Sequence, residues 1–372
     1  MAKISSLIKM IRVGVRNEYH HLMVKPLNSL IFLTYRCTSH CKTCNIWSWG
    51  GEKSRELNKD EWLSVLSELK RANIRSLEIF GGDALLRKDV IFDIIKFCNQ
   101  NGIHTHFPTN ANLCDRETAK NLIEAGLYTV YLSLDDLGEA HDDMRGTHGT
   151  FSRVTEALDA FLSLRDSADN PRVIICTTVS NMNFKDLPRI VEFLENYQID
   201  GIYPRITGEF NRQNVESSAI DGVLPQPYFV PTDMPTHLLR KEELGEFKEI
   251  LKYLRGRKSK VYIDFRPFDL ADDRTFLEGI HHVKNCRLAT TLVTVDPQGN
   301  VAPCPFFLSY NIGNLKESGI KDIWGNLKHR RLIRYQQKKK LAICQNCNLS
   351  VYYPSMAETF SWRLKKALGH YG

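Results

Sequence analysis

The chain alternates between two spacings of its hydrophobic positions. Short apolar runs, typical of strands buried on both faces, recur between longer segments whose apolar residues return every three or four positions, as in helices with one buried face. The predicted strands cover residues 30–34, 76–80, 103–107, 129–134, 173–179 and 201–206. The predicted helices between them cover residues 59–72, 88–101, 116–125, 151–164 and 186–197.

This alternation predicts parallel strands with helices packed outside them. We therefore expect an α/β protein whose larger part is a partial (β/α)6 barrel of the TIM type. In such a barrel the carboxyl ends of the strands meet at one rim, where the loops assemble functional sites. Polar residues that follow separate strands should therefore lie close together.

The alternation weakens after residue 206. Residues 208–237 contain four prolines and no clear periodicity, which predicts a long loop that is either a lid over substrate or a connector. We expect a helix over 242–254 and an additional strand over 261–265. Residues 291–295 and 300–302 flank the turn sequence Asp-Pro-Gln-Gly, which predicts a β-hairpin.

The chain divides into five predicted parts. They are an amphipathic N-terminal segment (1–28), the barrel core (29–240), a connecting helix and strand (241–285), a small C-terminal α+β domain with the hairpin and a helix (286–350), and a basic tail (351–372).

Both ends of the chain are predicted to form basic amphipathic helices. The favoured interpretation is that their apolar faces pack on the body of the protein, and the alternative is attachment to an anionic membrane that carries a lipid-linked substrate. The apolar faces contain Ile4, Leu7, Ile8, Ile11 and Val15 near the start, and Phe360, Leu364 and Leu368 near the end.

The composition of the chain indicates where the protein is located in the cell and which classes of partner it binds. No apolar run reaches the roughly 18 residues needed to span a bilayer, and no secretory signal is present, so we expect a cytoplasmic protein, with peripheral contact at the inner face of the membrane as the alternative. The net charge of +7 is modest. Residues 328–340 contain seven Lys or Arg, which is typical of a solvated helix, and we expect no nucleic-acid partner.

Seven of the ten cysteines fall into two groups. The first group has the spacing Cys37-x3-Cys41-x2-Cys44 on a loop after the first predicted strand. Three thiolates can hold three corners of a 4Fe–4S cube and leave the fourth iron open to a substrate or cofactor. On spacing alone, zinc with His40 or His21 as fourth ligand is the alternative.

The sequence around these cysteines, YRCTSHCKTCNIW over residues 35–47, resembles the signature loop of the radical S-adenosylmethionine (SAM) superfamily. The resemblance implies that Cys37, Cys41 and Cys44 hold a SAM-binding 4Fe–4S cluster. It also implies an enzyme that reductively cleaves SAM to a 5′-deoxyadenosyl radical, which abstracts hydrogen from a substrate. Thr43 stands where the family often has an aromatic residue.

Further motifs follow in the order that the family has. Gly81, Gly82 and Asp83 resemble the glycine-glycine-acid motif whose bare backbone approaches the SAM amine, since glycine has no side chain to obstruct it. The family usually has Glu and then Pro where this chain has Asp83 and Ala84.

The resemblance also implies SAM contacts after the fourth and fifth strands. Ser133 and Asp135 match the ribose-contacting strand, Arg145 could pair with the SAM carboxylate, and Asn183 is a further contact. Ordinary strand-end and turn roles for Ser133, Asp135 and Asn183 remain the alternative.

The second cysteine group comprises Cys286, Cys304, Cys344 and Cys347. Its spacing alone fits a structural zinc site. It also resembles the twitch region, a shortened SPASM domain, which implies one auxiliary 4Fe–4S cluster with four protein ligands because no cysteine follows Cys347. The remaining thiols, which we interpret as packing residues, are Cys98, Cys114 and Cys176.

We expect a radical SAM oxidoreductase that acts on a small molecule, a sugar or a lipid-linked compound, with the auxiliary cluster assisting electron transfer and a flavodoxin or ferredoxin as reducing partner. One alternative is a maturase that modifies a ribosomally made peptide, against which residues 1–28 are too short for a leader-binding winged helix. The other alternative is a non-catalytic zinc-binding scaffold. Candidate acid–base residues at late strand ends are Tyr203, Arg205 and Asp264, each with a structural role as the alternative.

Overall fold

A computed structural model describes residues 2–166, 170–231, 236–281, 286–352 and 355–367, and describes no side chains for residues 2–10, 350, 351, 366 and 367. Leu368 lies outside the described residues, and the side chains of Ile4, Leu7 and Ile8 lie outside the described side chains.

The strands within these residues are β1 (Asn28–Phe32), β2 (Ser76–Phe80), β3 (His104–Thr109), β4 (Thr129–Ser133), β5 (Arg172–Val179), β6 (Gly201–Ile206), β7 (Leu292–Val295), β8 (Asn300–Ala302) and β9 (Gly313–Asn314). They form one sheet in the order β6-β5-β4-β3-β2-β1-β7-β8-β9. Neighbours from β1 to β6 are parallel, and β6 and β9 lie at opposite edges, so the sheet is open. The predicted α/β class and partial barrel are therefore confirmed.

The C-terminal hairpin extends the barrel sheet. Strand β7 pairs in parallel with β1, with Asn28 opposite Leu292, and β8 returns antiparallel to β7. All four residues of β7 are buried, as expected for a strand covered on both faces. The hairpin that lies between Cys286 and Cys304 in the sequence therefore pairs with β1, the strand that precedes the first cysteine group.

The helices cover the outside of the sheet and connect its strands. Those of the barrel are α1 (Ala2–Leu22), α2 (Lys59–Arg71), α3 (Lys88–Gln100), α4 (Arg116–Glu124), α5 (Glu139–Arg145), α6 (Thr150–Leu164), α7 (Leu187–Leu194), α8 (Arg212–Glu216), α9 (Leu244–Gly256), α10 (Arg266–Asp269) and α11 (Asp273–Glu278). Those of the C-terminal part are α12 (Leu288–Thr291), α13 (Ile320–Ile323), α14 (Leu327–Gln337), α15 (Leu349–Tyr352) and α16 (Met356–Ala367). Short 3-10 turns cover Ile46–Ser48, Lys53–Arg55, Ala84–Arg87, Phe184–Asp186 and Ala342–Gln345.

A side-chain cap explains where helix α2 begins. The Asn58 side chain accepts a hydrogen bond from the Glu61 backbone N–H at 3.0 Å, and the Glu61 carboxylate accepts one from the Asn58 N–H at 2.9 Å. This reciprocal cap satisfies two N–H groups that the first turn of α2 leaves free. Its apolar face then buries Trp62, Val65 and Leu69 against the sheet.

One predicted strand did not form. Residues 261–265 contribute a single parallel bridge between Ile202 and Ile263 at the edge of β6. Pairing stops there because helix α10 begins at Arg266. Residues 208–231, at the start of the predicted long loop, contain the short helix α8 and otherwise irregular backbone.

The two terminal helices lie next to each other. Glu18 accepts hydrogen bonds from Arg287 at 2.9 Å and from the Met356 N–H at 3.0 Å, so α1 contacts both the residue that follows Cys286 and the start of α16. Val15 and Phe360 nevertheless remain exposed. Among the described helices, none is both long enough and apolar enough to cross a bilayer.

Candidate active site

A cavity of about 430 Å³ opens at the carboxyl ends of the barrel strands. Its lining contains Cys37, Cys41 and Cys44. Other lining residues come from β5, β6 and the C-terminal segment, with Cys176 and Arg205 among them. The convergence predicted at the barrel rim is therefore present.

Each sulfur of the first group accepts a hydrogen bond. The backbone N–H groups of Ser39 and Ile46 donate to the Sγ atoms of Cys37 and Cys44, both at 3.4 Å. A guanidinium nitrogen of Arg145 lies 3.9 Å from Cys41 Sγ. Such donors stabilise negative charge on sulfur, which is what ligation of a 4Fe–4S cluster requires.

Burial has the opposite effect on two of these thiols. It raises the pKa of Cys37 to about 11 and the pKa of Cys44 to about 12, and neighbouring sulfurs add to both increases. The metal-free thiols of Cys37 and Cys44 therefore hold their protons at neutral pH, so assembly of a cluster must release them.

The two glycines after β2 contact the cysteine loop. A Cβ on Gly81, whose φ is +152°, would lie 2.5 Å from the Thr34 carbonyl oxygen, and a Cβ on Gly82 would lie 2.2 Å from that of Arg36. The Gly82 N–H donates to Thr34 O at 2.9 Å. Glycine is therefore required for packing here, whereas the predicted approach of this backbone to SAM remains a prediction.

Asp83 is hydrogen-bonded to the same loop. Its buried carboxylate accepts hydrogen bonds from Thr38 Oγ1 at 2.5 Å and from the Leu85 N–H at 3.0 Å. Burial raises the pKa of Asp83, although these donors act in the other direction. Asn110 adds a hydrogen bond of 3.1 Å to Thr38 Oγ1.

The predicted contacts after β4 and β5 form one connected group. Asp135 makes an ion pair of 2.8 Å with Arg145 and accepts a hydrogen bond of 2.8 Å from the Thr178 N–H. The Asn183 amide donates to the Asp135 carbonyl at 2.7 Å. Ser133 and Arg145 line the cavity, whereas Asp135 and Asn183 are buried outside its lining.

Of the three acid–base candidates predicted at late strand ends, one lines the cavity. Arg205 lines it, with its guanidinium 5.2 Å from the Tyr203 ring and 4.5 Å from the Tyr352 ring. Tyr203 lies outside the lining. Asp264 does too, and it accepts a hydrogen bond of 3.2 Å from the Arg266 N–H.

Sequence reasoning missed two inward-facing side chains. Glu78 on β2 lines the cavity, and burial raises its pKa to about 6, with Arg205 acting in the opposite direction. Cys176, interpreted as a packing residue, also lines the cavity, whereas Cys98 and Cys114 are buried in the core. The usable signal was the two-residue period of a strand, which puts position 176 on the face opposite to its buried neighbours.

The second cysteine group is drawn from three segments of the C-terminal part. Burial raises the pKa of all four thiols, that of Cys344 to about 12, and mutual repulsion adds to the increase for Cys304, Cys344 and Cys347. Backbone N–H groups donate to Cys286, Cys304 and Cys347. Four partly buried thiols, three of them with backbone donors, fit an auxiliary cluster.

A zinc ion would place its thiolates about 3.8 Å apart at tetrahedral corners. In the described part of the chain, no three His, Cys, Asp or Glu side chains are arranged to hold a single metal ion.

Residues 226–230, here called the bridging segment, connect the two cysteine groups. The Gln226 N–H donates to Phe306 O at 2.7 Å, just after Cys304. The Asn45 N–H, just after Cys44, donates to Tyr228 O at 2.5 Å. The Tyr228 ring lies between, with its centroid 4.8 Å from that of Phe306. This part of the predicted long loop is therefore packed across the rim between the two groups.

Two family descriptions match the chain. Residues 31–194 match the radical SAM superfamily, and residues 286–348 match an iron–sulfur cluster-binding domain, SPASM. Each match contains one complete cysteine group. The two domains imply a SAM-binding 4Fe–4S cluster and an auxiliary 4Fe–4S cluster, which the donor sets described above fit.

Among curated proteins, the chain is similar to the Fe-coproporphyrin III synthase of Methanosarcina barkeri, with 29% identity over 174 residues. It is also similar to the PqqA peptide cyclase of Bradyrhizobium diazoefficiens, with 33% identity over 118 residues. The matches cover 47% and 32% of this chain, and 41% and 31% of those proteins. The chain therefore spans less than half the length of these two relatives.

Solved structures share the fold. SuiB from Streptococcus suis, bound to its precursor peptide SuiA, superposes with a TM-score of 0.62 at 17% identity, covering 90% of this chain and 73% of that one. The same protein has been solved bound to S-adenosylmethionine, with a TM-score of 0.63 at 19% identity, covering 90% of this chain and 76% of that one.

Proposed function

Because the chain belongs to the radical SAM superfamily and carries a SPASM-type iron–sulfur domain, we propose that it is an enzyme that modifies a peptide by hydrogen abstraction. A small-molecule substrate, which the sequence favours, becomes the second candidate. The reason is that one curated relative is a peptide cyclase and a protein of the same fold has been solved with its precursor peptide.

A cluster and SAM at this site would supply the radical chemistry, which is reductive cleavage of SAM to methionine and a 5′-deoxyadenosyl radical that takes hydrogen from an unactivated carbon. The protein's own residues have the remaining roles. The three cysteines would hold the cluster, the Gly81–Gly82 backbone fixes their loop against β2, and Arg145 supplies positive charge beside Cys41. The rings of Tyr228 and Phe306 line the cavity and give part of its wall an apolar surface.

The observation that carries the peptide proposal is a second cavity on the other side of the cysteine loop. It measures about 590 Å³ and shares Cys41, Cys44 and Trp47 with the first. Lys42 and Glu139 are among its charged lining residues. A groove with charged lining residues that shares a wall with the deeper first cavity suits an extended chain that lies in the groove and inserts one side chain.

The second candidate is a small anionic or ring-shaped substrate. It is supported by the similarity to the Fe-coproporphyrin III synthase and by the charged groups Glu78 and Arg205 in the deeper cavity. For either substrate we propose a reduced flavodoxin or ferredoxin as electron donor, in a cytoplasmic compartment that keeps the thiols reduced.

A mass measurement tests the proposal. Anaerobically reconstituted enzyme, SAM and dithionite are incubated with synthetic peptides encoded beside its gene, with the Cys41→Ala variant as control. We expect a change in peptide mass that needs SAM and is absent with the variant. Formation of 5′-deoxyadenosine without any change in these peptides, but with a changed compound in a small-molecule extract, would overturn the peptide proposal in favour of the second candidate.

A further inference from the structure

Three chemically different side chains meet at the inner wall of the deeper cavity. Strand β2 contributes Glu78, β5 contributes Cys176 and β6 contributes Arg205. Strands β5 and β6 pair in parallel with Cys176 opposite Tyr203 and Thr178 opposite Arg205. Side chains two residues apart share a face, so Cys176 is the diagonal neighbour of Arg205 on the cavity side of the sheet.

Arg205 differs from the other arginines of the interior. Arg87 pairs with Glu56 at 3.2 Å and Arg145 pairs with Asp135 at 2.8 Å. For Arg205, no carboxylate among the described residues lies within ion-pair distance. Its neighbours are the faces of two tyrosine rings and the Cys176 thiol.

Neither of the two nearby carboxylates, those of Asp264 and Glu78, forms an ion pair with Arg205. Asp264 lies 3.5 Å from Arg266, which it pairs with instead. Glu78 lines the same cavity, but among the described residues it makes no ion pair with Arg205. A partly buried guanidinium without a counterion is costly, and the cost is recovered when an anion binds.

We propose that Arg205 is the centre of a carboxylate-binding subsite, oriented by the rings of Tyr203 and Tyr352, whose occupant lies beside the Cys176 thiol. The occupant is a carboxylate of the substrate, so this inference rests on the proposed function for its biological meaning. The planar guanidinium presents two parallel N–H donors, which match the two oxygens of a carboxylate. An aspartate or glutamate side chain of a peptide has this group.

Cys176 provides a built-in probe of the subsite. Iodoacetate and iodoacetamide alkylate a thiol by the same displacement, in which the sulfur–carbon bond forms and iodide leaves, but only iodoacetate carries a carboxylate. The ratio of the two rates at one thiol therefore reports carboxylate binding beside it. A change in thiol reactivity cancels in this ratio, because it affects both reagents equally.

The experiment uses anaerobic holoenzyme, in which the cluster cysteines are ligated, and mass spectrometry of the peptide that contains Cys176. The iodoacetate-to-iodoacetamide rate ratio is divided by the ratio for glutathione. We expect about a tenfold preference for iodoacetate in the native protein, from a charge-assisted contact of the usual strength. Arg205→Gln should return the ratio to that of glutathione, and Arg205→Lys should retain part of the preference.

Arg266→Gln is the matched control, because it removes a guanidinium from the same end of the barrel outside the cavity lining. It should leave the ratio unchanged. The subsite is contradicted if native Cys176 shows no preference, if Arg205→Gln and Arg205→Lys both keep the full preference, or if Cys176 reacts with neither reagent.

A protection arm distinguishes the source of the carboxylate. A capped Ala-Glu-Ala peptide is compared with its Gln counterpart, and glutarate with glutaramide, as inhibitors of Cys176 labelling. We expect the Glu peptide to protect and the Gln peptide not to. Protection by glutarate alone would retain the subsite but contradict a peptide occupant. Since alkylation needs no SAM cleavage, this result is independent of whether the enzyme is active.

Discussion

Asp135 and Arg145 form an ion pair of 2.8 Å beside the cysteine loop, and a nitrogen of the same guanidinium lies 3.9 Å from Cys41 Sγ. In the sequence, the two residues match two different SAM contacts of the family. In the structure, Asp135 positions Arg145. Asp135 fixes the orientation of Arg145, which lines the cavity together with the three cysteines.

The first prediction concerns this pair. Asp135→Asn leaves the Arg145 charge without its counterion, although burial already raises the pKa of Asp135. We expect a loss of about 3 kcal/mol in the free energy of unfolding, which is typical of a broken buried pair. Urea denaturation of the metal-free protein measures it. The control is Asp143→Asn, which removes an exposed partner of Lys42 and should cost less than about 1 kcal/mol. Equal losses would contradict the structural role of the pair.

The second prediction concerns the contact between β2 and the cysteine loop. In Gly82→Ala the new methyl group would meet the Arg36 carbonyl, so the loop must move. We expect a destabilisation of about 1–3 kcal/mol and a loss of roughly four irons after reconstitution, because the displaced loop no longer aligns its thiolates. Gly245→Ala is the control, since open space surrounds that position in α9. Normal iron content in Gly82→Ala would show that the loop tolerates the shift.

The third prediction is a pH dependence set by Glu78. Burial raises its pKa from 4.5 to about 6, so the folded state binds the proton more tightly than the unfolded state does. This contribution to stability is fully present below about pH 4.5 and is lost as the pH rises through 6. From pH 5 to pH 8 the metal-free protein should therefore lose about 1 kcal/mol relative to Glu78→Gln.

Urea denaturation of both proteins at several pH values measures this difference. The exposed Glu249 offers a control, since Glu249→Gln should follow the parent protein at every pH. A constant difference between Glu78→Gln and the parent across the range would contradict the shifted pKa.

The fourth prediction concerns the second cysteine group. Anaerobic protein should hold about eight irons per chain, and Cys304→Ala should hold about four, because one of two 4Fe–4S clusters is lost. Cys98→Ala, which changes a thiol of the core, should keep about eight. Four irons and one zinc in the parent protein would instead assign the second group to zinc.

The fold was predictable from the sequence because parallel strands buried on both faces leave continuous apolar runs, and the helices between them keep a clear period. The position of β7 was not predictable. A hairpin of four and three residues gives no sign of which sheet edge it joins, and its pairing with β1 depends on contacts between residues more than 250 positions apart.

The site was predictable where short motifs carry it, as in the three cysteines and the glycine pair. Inward-facing polar side chains on strands were less predictable. Glu78 stands singly between two apolar residues and Cys176 ends an apolar run, and only the three-dimensional register brings them to the same cavity as Arg205. The bridging segment was hidden for a similar reason, because its hydrogen bonds to the two cysteine loops leave no local sequence pattern.

The most direct measurement is the formation of 5′-deoxyadenosine from SAM by the reconstituted protein with dithionite. The account predicts that the parent protein forms it and that Cys41→Ala, which removes one of the three sulfurs lining the cavity, does not, whereas Cys114→Ala does. Cleavage of SAM by Cys41→Ala at the parent rate would contradict the assignment of these three cysteines to the SAM-binding cluster.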